Sequence, residues 1–577
     1  MGDSPLATID QATKRFGANP IPALKSLTTR IESGTVTGLV GPDGAGKTTL
    51  LRVLAGLMLL DEGELNVCGL NPAKEASALR RIVSYMPQRF GLYEDLTVIE
   101  NLELYADLRS VFGSERSNSF ERLFSFTGLS PFSNLLAGAL SGGMKQKLGL
   151  ACALIKQPRL LLLDEPSVGV DPISRRELWR MVYDLVDQGI GVVWSTAYLD
   201  EAERCASVLL LSEGQLIYDG PPHELTQRVE GRTYLIKNIS GDRRAVLSRA
   251  LAHGNVIDGL IHSHSVRIVV GQHGGPPSPS EVGAGVSSFV VPVPPRFEDA
   301  LMDLLGGGPK GRSPFADDKG LKEHSAGVVV EARNLTRRFG SFTAADNINF
   351  EVDSGEIFGL IGPNGAGKST TFKMLCGLLH PSEGTARVVG FDLAKSPSKA
   401  RARLGYMAQK FSLYGDLSVR QNLDFFAGVY GLRGSRRAMA IDRMIDTFAL
   451  GPYLDNDSIS LPLGFKQRTA LACAVIHDPD VLFLDEPTSG VDPRTRREFW
   501  SHINALVAKG VTIMVTTHFL EEAEYCDRIA LIYRGRTIAH GAPDELKKRV
   551  RTEALTEPTL EDAFIQLVQQ DDGLRAA

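Results

Sequence analysis

The chain has 577 residues, too many for one domain, and its hydrophobic (43%) and charged (23%) fractions are those of an ordinary globular protein. A formal net charge of −5 gives no overall basic field, so we expect no nucleic-acid partner. No apolar run approaches the roughly 18 residues of a membrane-spanning helix, and residues 1–6 lack the pattern of a signal peptide, so we expect a cytoplasmic chain.

Residues 41–48 are the first segment that indicates a function. Their sequence, Gly-Pro-Asp-Gly-Ala-Gly-Lys-Thr, fits the phosphate-binding pattern G-x-x-x-x-G-K-[ST]. Residues 35–40 read as a buried strand, and apolar residues at helical spacing predict a helix over residues 47–59. Because the pattern needs this strand–loop–helix context, we favour a polyphosphate site over a chance glycine-rich turn. Lys47 would contact phosphates, and the Thr48 hydroxyl would bind Mg²⁺.

Later segments place further polar residues in the same domain. Gln88 follows a short strand, Thr97 is a predicted helix N-cap, and residues 140–143, Leu-Ser-Gly-Gly, begin another helix. Residues 160–165 form an apolar run that ends in an aspartate and a glutamate, which is typical of a parallel strand covered on both faces. Another buried strand leads into residues 196–197, Thr-Ala. Because ligands bind at the carboxyl ends of strands in open α/β sheets, we expect the paired acids to lie at the ligand site.

The character of the sequence changes after residue 228. Residues 234–237 and 266–270 read as short strands of a small accessory α+β region over residues 229–305, whose role the sequence does not indicate. Residues 306–326 are polar and glycine-rich, and they predict a flexible linker.

From about residue 327 the first domain repeats at a constant offset of 321 positions. Residues 362–369, Gly-Pro-Asn-Gly-Ala-Gly-Lys-Ser, form a second phosphate-binding loop. A repeat of this length indicates a duplicated domain, so we expect domains over residues 1–228 and 327–547, followed by a helical tail over residues 548–577. The other motif residues recur as the pairs Gln88/Gln409, Asp164/Asp485, Glu165/Glu486 and Ala197/His518.

The six cysteines include two pairs at the same offset, Cys152/Cys473 and Cys205/Cys526. Equivalent positions in a repeat favour a shared role as small buried hydrophobic residues. A redox or metal-binding role is the alternative, although the sequence contains no C-x-x-C pair.

The order of these motifs resembles that of the ATP-binding domains of ABC transporters. The Leu-Ser-Gly-Gly segment, which lies between the glutamine and the paired acids, separates this family from other phosphate-loop proteins, and the resemblance covers both domains. Residues 90–98 and 411–419 resemble the drug and ion exporters of bacteria. The resemblance implies an α/β fold of two tandem P-loop nucleotide-binding domains, each with a mainly parallel core sheet, an antiparallel β part and a helical subdomain. It also implies ATP and Mg²⁺ as cofactors.

The resemblance assigns roles to matched positions in both domains. Glu165 and Glu486 would be general bases for the attacking water, Gln409 would sense the γ-phosphate, and His518 would hold it. The magnesium positions would be Thr48, Asp164, Ser369, Gln409 and Asp485. Two phenylalanines, Phe16 and Phe339, would stack on adenine, with core packing as the alternative. The remaining ATP-binding positions would be Gly41, Gly44, Gly46, Lys47, Thr48, Thr49, Gln88, Ser141, Gly142, Gly143, Gly362, Asn364, Gly365, Gly367, Lys368, Ser369 and Thr370.

The two domains depart from the family pattern at two places. The second has Pro-Leu-Gly at residues 462–464 where the first has Ser-Gly-Gly at residues 141–143, and the first has Ala197 where the second has His518. Proline has neither a hydroxyl nor an N–H, and leucine replaces a glycine that permits close backbone approach. In ABC proteins the phosphate loop of one domain faces the signature segment of the other, which corresponds here to residues 141–143 or 462–464. Head-to-tail pairing within one chain would therefore place both defects at the first loop. Neutral drift is the alternative, because proline is tolerated at a helix start.

Three functions fit such a tandem chain. The exporter-like segments favour the ATP-hydrolysing subunit of a multidrug exporter, peripheral on the inner face of the cell membrane and bound to separate multi-span permease subunits, two in number. A tandem ATPase of a sugar importer is the second possibility, against which the Leu-Tyr-x-Asp-Leu segments argue. A ribosome-acting translation factor is the third, but that class has a long charged helical linker and two good signatures.

Overall fold

A computed structural model describes residues 5–17, 22–42, 44–88, 91–168, 170–308, 313–316, 327–409, 413–517, 519–553 and 555–576, the last three without their side chains. The chain divides into two compact units, Met1–Arg228 with Arg296–Ala300 and Val229–Pro295 with Leu301–Ala577. The accessory region therefore groups with the second unit, except for residues 296–300, which group with the first. The exact division of the chain into five segments stays a prediction.

The first unit contains nine strands and, wholly within it, eight α-helices among its described residues. The strands are β1 (Ala7–Lys14), β2 (Leu24–Ile31), β3 (Val36–Val40), β4 (Glu62–Val67), β5 (Val83–Met86), β6 (Leu160–Asp164), β7 (Gly191–Thr196), β8 (Ser207–Ser212) and β9 (Gln215–Gly220). The helices are α1 (Lys47–Leu54), α2 (Pro72–Ile82), α3 (Val98–Leu108), α4 (Gly113–Thr127), α5 (Gly142–Ala153), α6 (Pro172–Asp187), α7 (Leu199–Ala202) and α8 (Pro222–Gln227).

The core of this unit is a six-stranded sheet in the order β5-β6-β7-β3-β8-β9, in which only the β8–β9 pair is antiparallel among the described strands. Every residue of β3, β6 and β7 is buried, as expected for parallel strands covered on both faces. A separate antiparallel sheet has the order β2-β1-β4. The carboxyl ends of β3, β6 and β7 therefore lie side by side at one edge of the core sheet.

The accessory region follows as a four-stranded antiparallel sheet with one helix between its first two strands. Its elements are β10 (Thr233–Lys237), α9 (Arg243–Leu251), β11 (Val256–His262), β12 (Ser265–Val270), β13 (Phe289–Pro292) and the following helix α10 (Phe297–Leu304). The strand order is β11-β12-β10-β13. The two short strands expected near residues 234 and 266 are confirmed.

The ABC-like part of the second unit repeats the architecture of the first. Its strands are β14 (Val328–Phe339), β15 (Phe342–Asp353), β16 (Ile357–Ile361), β17 (Glu383–Val388), β18 (Phe391–Asp392), β19 (Leu404–Met407), β20 (Val481–Asp485), β21 (Thr512–Thr517), β22 (Arg528–Tyr533) and β23 (Arg536–Gly541). Its helices are α11 (Lys368–Leu375), α12 (Pro397–Arg401), α13 (Val419–Val429), α14 (Gly434–Thr447), α15 (Leu463–Val475), α16 (Pro493–Ala508), α17 (Leu520–Ala523), α18 (Pro543–Arg549) and α19 (Leu560–Ala576). The core sheet, β19-β20-β21-β16-β22-β23, has the same order and strand directions as that of the first unit. The α/β fold with parallel core sheets and antiparallel parts is confirmed.

The paired cysteines have the shared packing role that their spacing indicates. A side-chain carbon at Gly38 of β3 would come within 2.9 Å of Cys205 Sγ, and one at Gly359 of β16 would come equally close to Cys526 Sγ. All six cysteines are free thiols, and burial raises the pKa of Cys152 and of Cys473. These four residues are small hydrophobic core residues.

Two local expectations have different outcomes. Thr97 is the N-cap of α3 and forms a capping box with Glu100, as predicted. The helix expected over residues 47–59 is shorter, because α1 ends at Leu54 and Gly56 turns the chain with a φ of 65°. Within the described ranges, no helix combines the length and apolar character needed to cross a membrane.

Candidate functional site

The first phosphate-binding loop joins β3 to α1. Gly44 and Gly46 have φ angles of 78° and 103°, in the left-handed region that glycine adopts without strain. Lys47 is 5% exposed, and its ammonium donates to Gly41 O at 2.7 Å and to the next carbonyl oxygen at 3.2 Å. The lysine and the N-terminus of α1 therefore lie together at the loop, where a polyphosphate would find a positive charge and open N–H groups.

The second loop, between β16 and α11, has the same geometry. Gly365 and Gly367 have φ angles of 80° and 102°. Lys368 is 4% exposed and donates to Gly362 O at 2.7 Å and to the next carbonyl oxygen at 3.0 Å. Both loops fit the phosphates of a nucleotide. The loops and their first helical turns also hold the predicted positions Thr49, Asn364 and Thr370.

A hydroxyl and a carboxylate meet beside each loop. Thr48 Oγ1 donates to Asp164 Oδ1 at 3.2 Å, and Ser369 Oγ donates to Asp485 Oδ1 at 3.2 Å. Burial raises the pKa of both aspartates, and hydrogen bonds from neighbouring hydroxyls oppose that shift. The described residues contain no cluster of three or more His, Cys, Asp or Glu side chains that could hold a metal ion. The oxygen ligands fit Mg²⁺, with phosphate and water completing its coordination.

A glutamate follows the aspartate in each unit and is turned out of the strand direction. Glu165 and Glu486 both have a φ of 50°, an uncommon angle for a residue with a side chain. Gln88 Nε2 donates to Glu165 Oε2 at 2.6 Å, and Gln409 Nε2 donates to Glu486 Oε2 at 2.7 Å. The loop lysine lies 3.6 Å from Glu165 Oε1 in the first unit and 4.0 Å from Glu486 Oε1 in the second. Each glutamate therefore lies between the glutamine and the lysine, and the magnesium role of Gln409 stays a prediction.

The paired positions 197 and 518, called here the switch positions, follow β7 in the first unit and β21 in the second. Thr196 Oγ1 accepts a hydrogen bond from the N–H of Tyr198 at 2.9 Å, so the turn around the buried Ala197 is tied at both sides. Thr517 accepts the same bond from the N–H of Phe519 at 2.9 Å. His518 lies outside the described residues.

A buried carboxylate near each switch position was missed by sequence reasoning. Glu201 accepts hydrogen bonds from Thr196 at 2.6 Å and from Ser167 at 2.9 Å. Glu522 accepts one from Thr517 at 3.0 Å and one from Thr488. Each of these buried glutamates links the turn after the predicted general base with the turn at the switch position. The 321-residue offset between the two glutamates was the available signal.

The two signature helices begin differently. Ser141 is the N-cap of α5, and its side chain accepts a hydrogen bond from the N–H of Met144 at 3.3 Å. A side chain at Gly143 would collide with the hydroxyl of Ser174. Pro462 holds the N-cap position of α15 and cannot form the equivalent side-chain bond. Ser141 and Pro462 are both solvent-exposed, as residues that contact a ligand from outside their own domain would be.

The two predicted adenine-stacking residues lie at the ends of strands. Phe16 follows β1, Phe339 ends β14, and each is 47% exposed. The ammonium of Lys14 lies 6.0 Å from the centre of the Phe16 ring. This exposure argues against core packing, while stacking on adenine stays a prediction.

Comparison with known proteins identifies the family. The ABC transporter family model matches residues 24–168 and 345–489. The probable multidrug ABC transporter ATP-binding protein YbhF of Escherichia coli (strain K12) is 56% identical over 566 residues, which cover 98% of this chain and 98% of that protein. The Nod factor export ATP-binding protein I of Burkholderia lata is 42% identical over 218 residues, 38% of this chain and 72% of that protein. A solved structure of the ATP-binding subunit of an ABC transporter aligns at 29% identity with a TM-score of 0.39, covering 42% of this chain and 99% of its own. This chain belongs to the ABC transporter family and is an ATPase with two tandem nucleotide-binding domains.

Proposed function

We propose that this chain is the energy-coupling subunit of an ABC exporter of the multidrug type, bound on the inner face of the cell membrane to two separate multi-span permease subunits. Two observations support it: the full-length similarity to a probable multidrug ATP-binding protein, and the similarity of one domain to Nod factor export proteins. An exporter needs a path through the membrane, and the described helices provide none.

The proposal includes two unequal ATP sites, each formed head to tail from the loop of one domain and the signature of the other. The unequal sites are supported by the difference between the two exposed helix starts: Ser141 is the N-cap of α5, and Pro462 holds the same position in α15. The first site would hold ATP without efficient hydrolysis and is called here the retaining site. It would combine the Lys47 loop and Ala197 with the second domain's signature, residues 462–464. The hydrolytic site would combine the Lys368 loop with the serine signature and His518.

The distribution of the defects supports pairing within one chain. Head-to-tail pairing of the two domains places both defects in one site and leaves the other complete. Pairing of like domains between two chains would instead put a defect in every site. Loss of one preorganised donor to a developing anion lowers a rate by roughly 10²–10³, so the retaining site should contribute little hydrolysis.

At the hydrolytic site, the chain's own residues would divide the work. Bound ATP supplies the γ-phosphoryl group that is transferred to water. Lys368 and the N-terminus of α11 would bind the phosphates, and Ser369 with Asp485 would hold Mg²⁺. Glu486 Oε2 already accepts a hydrogen bond from Gln409, which fixes the carboxylate that would take the proton from the attacking water.

Paired glutamate variants test the asymmetry. Glu486→Gln should abolish steady-state ATPase activity of the full-length chain, whereas Glu165→Gln should change it less than about twofold, because only the first substitution removes the general base of the complete site. Equal losses of ATPase activity in the two variants would contradict the assignment of one hydrolytic and one retaining site. Purification of the full-length chain from membranes tests the partners: two multi-span proteins would support the exporter, and ribosomes would contradict it.

A further inference from the structure

The accessory module, defined here as residues 229–295, contacts α18 and two further elements of the second ABC domain. One is the post-switch segment, residues 519–527, which follows the switch position and precedes β22. The other is α16, which begins seven positions after Glu486. All of these residues belong to one compact unit.

Arg243 at the start of α9 makes the first contact. Its guanidinium donates to Cys526 O at 3.1 Å and to Asp527 Oδ1 at 2.7 Å, and Arg244 donates to the other carboxylate oxygen at 2.5 Å. That second oxygen also accepts the N–H of Ile357 at 2.8 Å, at the start of the strand that leads to the second phosphate loop. The end of the post-switch segment is therefore fixed by two arginines of the module.

Ser263, in the turn between β11 and β12, makes the second contact. Its N–H donates to Glu524 O at 3.0 Å, and its hydroxyl donates to the Glu524 carboxylate. Lys547 of α18 donates to both carboxylate oxygens of Glu524, at 2.9 and 3.1 Å, and to Ser263 Oγ at 3.3 Å. The module thus completes a hydrogen-bonded cluster around the middle of the post-switch segment.

A buried ion pair makes the third contact. Arg497 of α16 donates through Nε to Asp258 of β11 at 3.3 Å, and through Nη1 to the Tyr525 hydroxyl at 2.7 Å. The side chains of Arg497 and Asp258 are only 5% and 3% exposed. One guanidinium therefore joins the module, α16 and the post-switch segment. Removing one partner of a buried pair leaves the other charge without compensation, so either single substitution should loosen the junction of these three elements.

We infer that the accessory module positions the switch side of the second nucleotide site. The inference rests on the proposed function, in which this site is the hydrolytic one. Short turns beside a nucleotide are among the first parts of a domain to open, and their closure is part of turnover. The module's contacts fall on α18, the post-switch segment and α16, whereas ATP would be held by residues 362–369. Weakening the contacts should therefore lower kcat more than it changes KM for ATP.

The first unit holds the equivalent segment in another way. Glu203, the counterpart of Glu524 at the 321-residue offset, accepts a hydrogen bond from the N–H of Phe297 at 2.7 Å. Ala206 replaces Asp527 and provides no carboxylate. Arg176 is the counterpart of Arg497 and lies in the domain whose own loop is the retaining one. It therefore offers a matched control within the same chain.

Three variants of the full-length chain test the inference: Asp258→Asn, Arg497→Gln and the control Arg176→Gln. We expect the first two to lower kcat at least fivefold with KM for ATP within about twofold, and the control to leave both unchanged. The double variant of Asp258 and Arg497 should lose little more than Arg497→Gln alone, because Arg497→Gln already removes the contact that Asp258→Asn removes. Amide hydrogen exchange of residues 519–527 should become at least fivefold faster in Asp258→Asn, with circular dichroism showing an intact fold.

The controls separate this inference from the asymmetry itself. If Asp258→Asn does not fold, Arg243→Lys keeps the charge and loses the forked contact, and we expect the same direction of change in kcat and in exchange. Unchanged exchange in residues 519–527 and an unchanged kcat, in a folded variant, would overturn the role of the module. Equal losses in Glu165→Gln and Glu486→Gln, run in the same assay, would overturn the asymmetric sites, and the exchange measurement would still decide the role of the module.

Discussion

The two nucleotide-binding domains share nearly the same hydrogen bonds around their phosphate loops, and they differ at the start of the signature helix and at the switch position. The lysine-to-carbonyl, hydroxyl-to-aspartate and glutamine-to-glutamate hydrogen bonds agree within 0.2 Å between the two domains. The differences fall at the helix start of Pro462 and at the switch position of Ala197. The two core sheets have the same strand order, so the changes at these positions leave the fold intact.

The two domains also differ in the partners of the buried glutamates Glu201 and Glu522. Glu201 accepts hydrogen bonds from two tryptophan indoles and two hydroxyls, and burial raises its pKa. Its counterpart Glu522 has the guanidinium of Arg496 at 3.6 Å. In the first domain the matching Arg175 pairs with Asp200 at 3.2 Å. Arg175 also opposes the rise in the pKa of Glu201, so an arginine acts on the buried glutamate in both domains, and the indole hydrogen bonds and the Asp200 pair distinguish the first.

Transfer of the proline signature into the first domain should have the largest effect. The double variant Ser141→Pro/Gly142→Leu removes the donors that the hydrolytic site needs, so we expect steady-state ATPase activity to fall by roughly 10²–10³. Pro462→Ala is the control and should change the activity by less than twofold. A transferred signature with normal activity would show that the two signatures are equivalent.

Substitution of the aspartate proposed to bind Mg²⁺ should lower ATPase activity about 10²-fold more in the second domain than in the first. Asp485→Asn would remove a proposed ligand of the cation that neutralises charge during phosphoryl transfer, so ATPase activity should fall about 10²-fold, whereas Asp164→Asn should change it little. Burial raises the pKa of Asp485 above its value in the unfolded chain. Ionisation of this aspartate therefore lowers the free energy of unfolding as the pH rises from the unfolded-state pKa through the folded-state pKa. We therefore expect the melting temperature of Asp485→Asn at neutral pH, without nucleotide, to be no lower than that of the parent chain. A lower one, measured by calorimetry, would contradict this sign.

Replacement of the N-cap residue by alanine should speed local amide exchange about fivefold in α5 and less than twofold in α15. Ser141→Ala removes the side-chain bond to the first turn of α5, a loss of roughly 1 kcal/mol, so amide exchange of residues 142–146 should become about fivefold faster. Pro462→Ala removes no such bond, so exchange of residues 463–467 should stay within twofold. Similar acceleration in both helices would mean that the Ser141 bond contributes nothing.

Repair of the retaining site should give the smallest effect. The triple variant Pro462→Ser/Leu463→Gly/Ala197→His restores the missing groups, and a second equal site can at most double the steady-state ATPase activity. Adding Glu486→Gln to this variant sharpens the test, since all remaining hydrolysis would then come from the repaired site. Activity at the level of Glu486→Gln alone would show that further differences keep this site inactive.

Much of the fold and of each domain's own site follows from short-range sequence patterns. The loop motif specifies its strand and helix, and the 321-residue offset predicts that the second domain has the topology of the first. Apolar spacing predicts a helix to residue 59, five residues past the end of α1 at Leu54, because this spacing continues past the glycine that stops the helix.

Contacts between distant segments could not be read from the sequence. Phe315 lies in the stretch expected to be a flexible linker, yet its ring packs against Phe448 and His502 and is buried. The ion pair between Asp258 and Arg497 joins residues 239 positions apart. Neither partner belongs to a motif, so only the tertiary structure brings them together.

The lysine bonds inside each phosphate loop have a thermodynamic consequence for nucleotide affinity. Because Lys47 already closes its loop onto the carbonyl of Gly41, the conformational entropy of ordering that loop is lost during folding and not during binding. The same holds for Lys368 and Gly362. Intrinsic affinity for a triphosphate should therefore be similar in the two domains, so a site can lose turnover and still remain filled at cellular ATP concentrations.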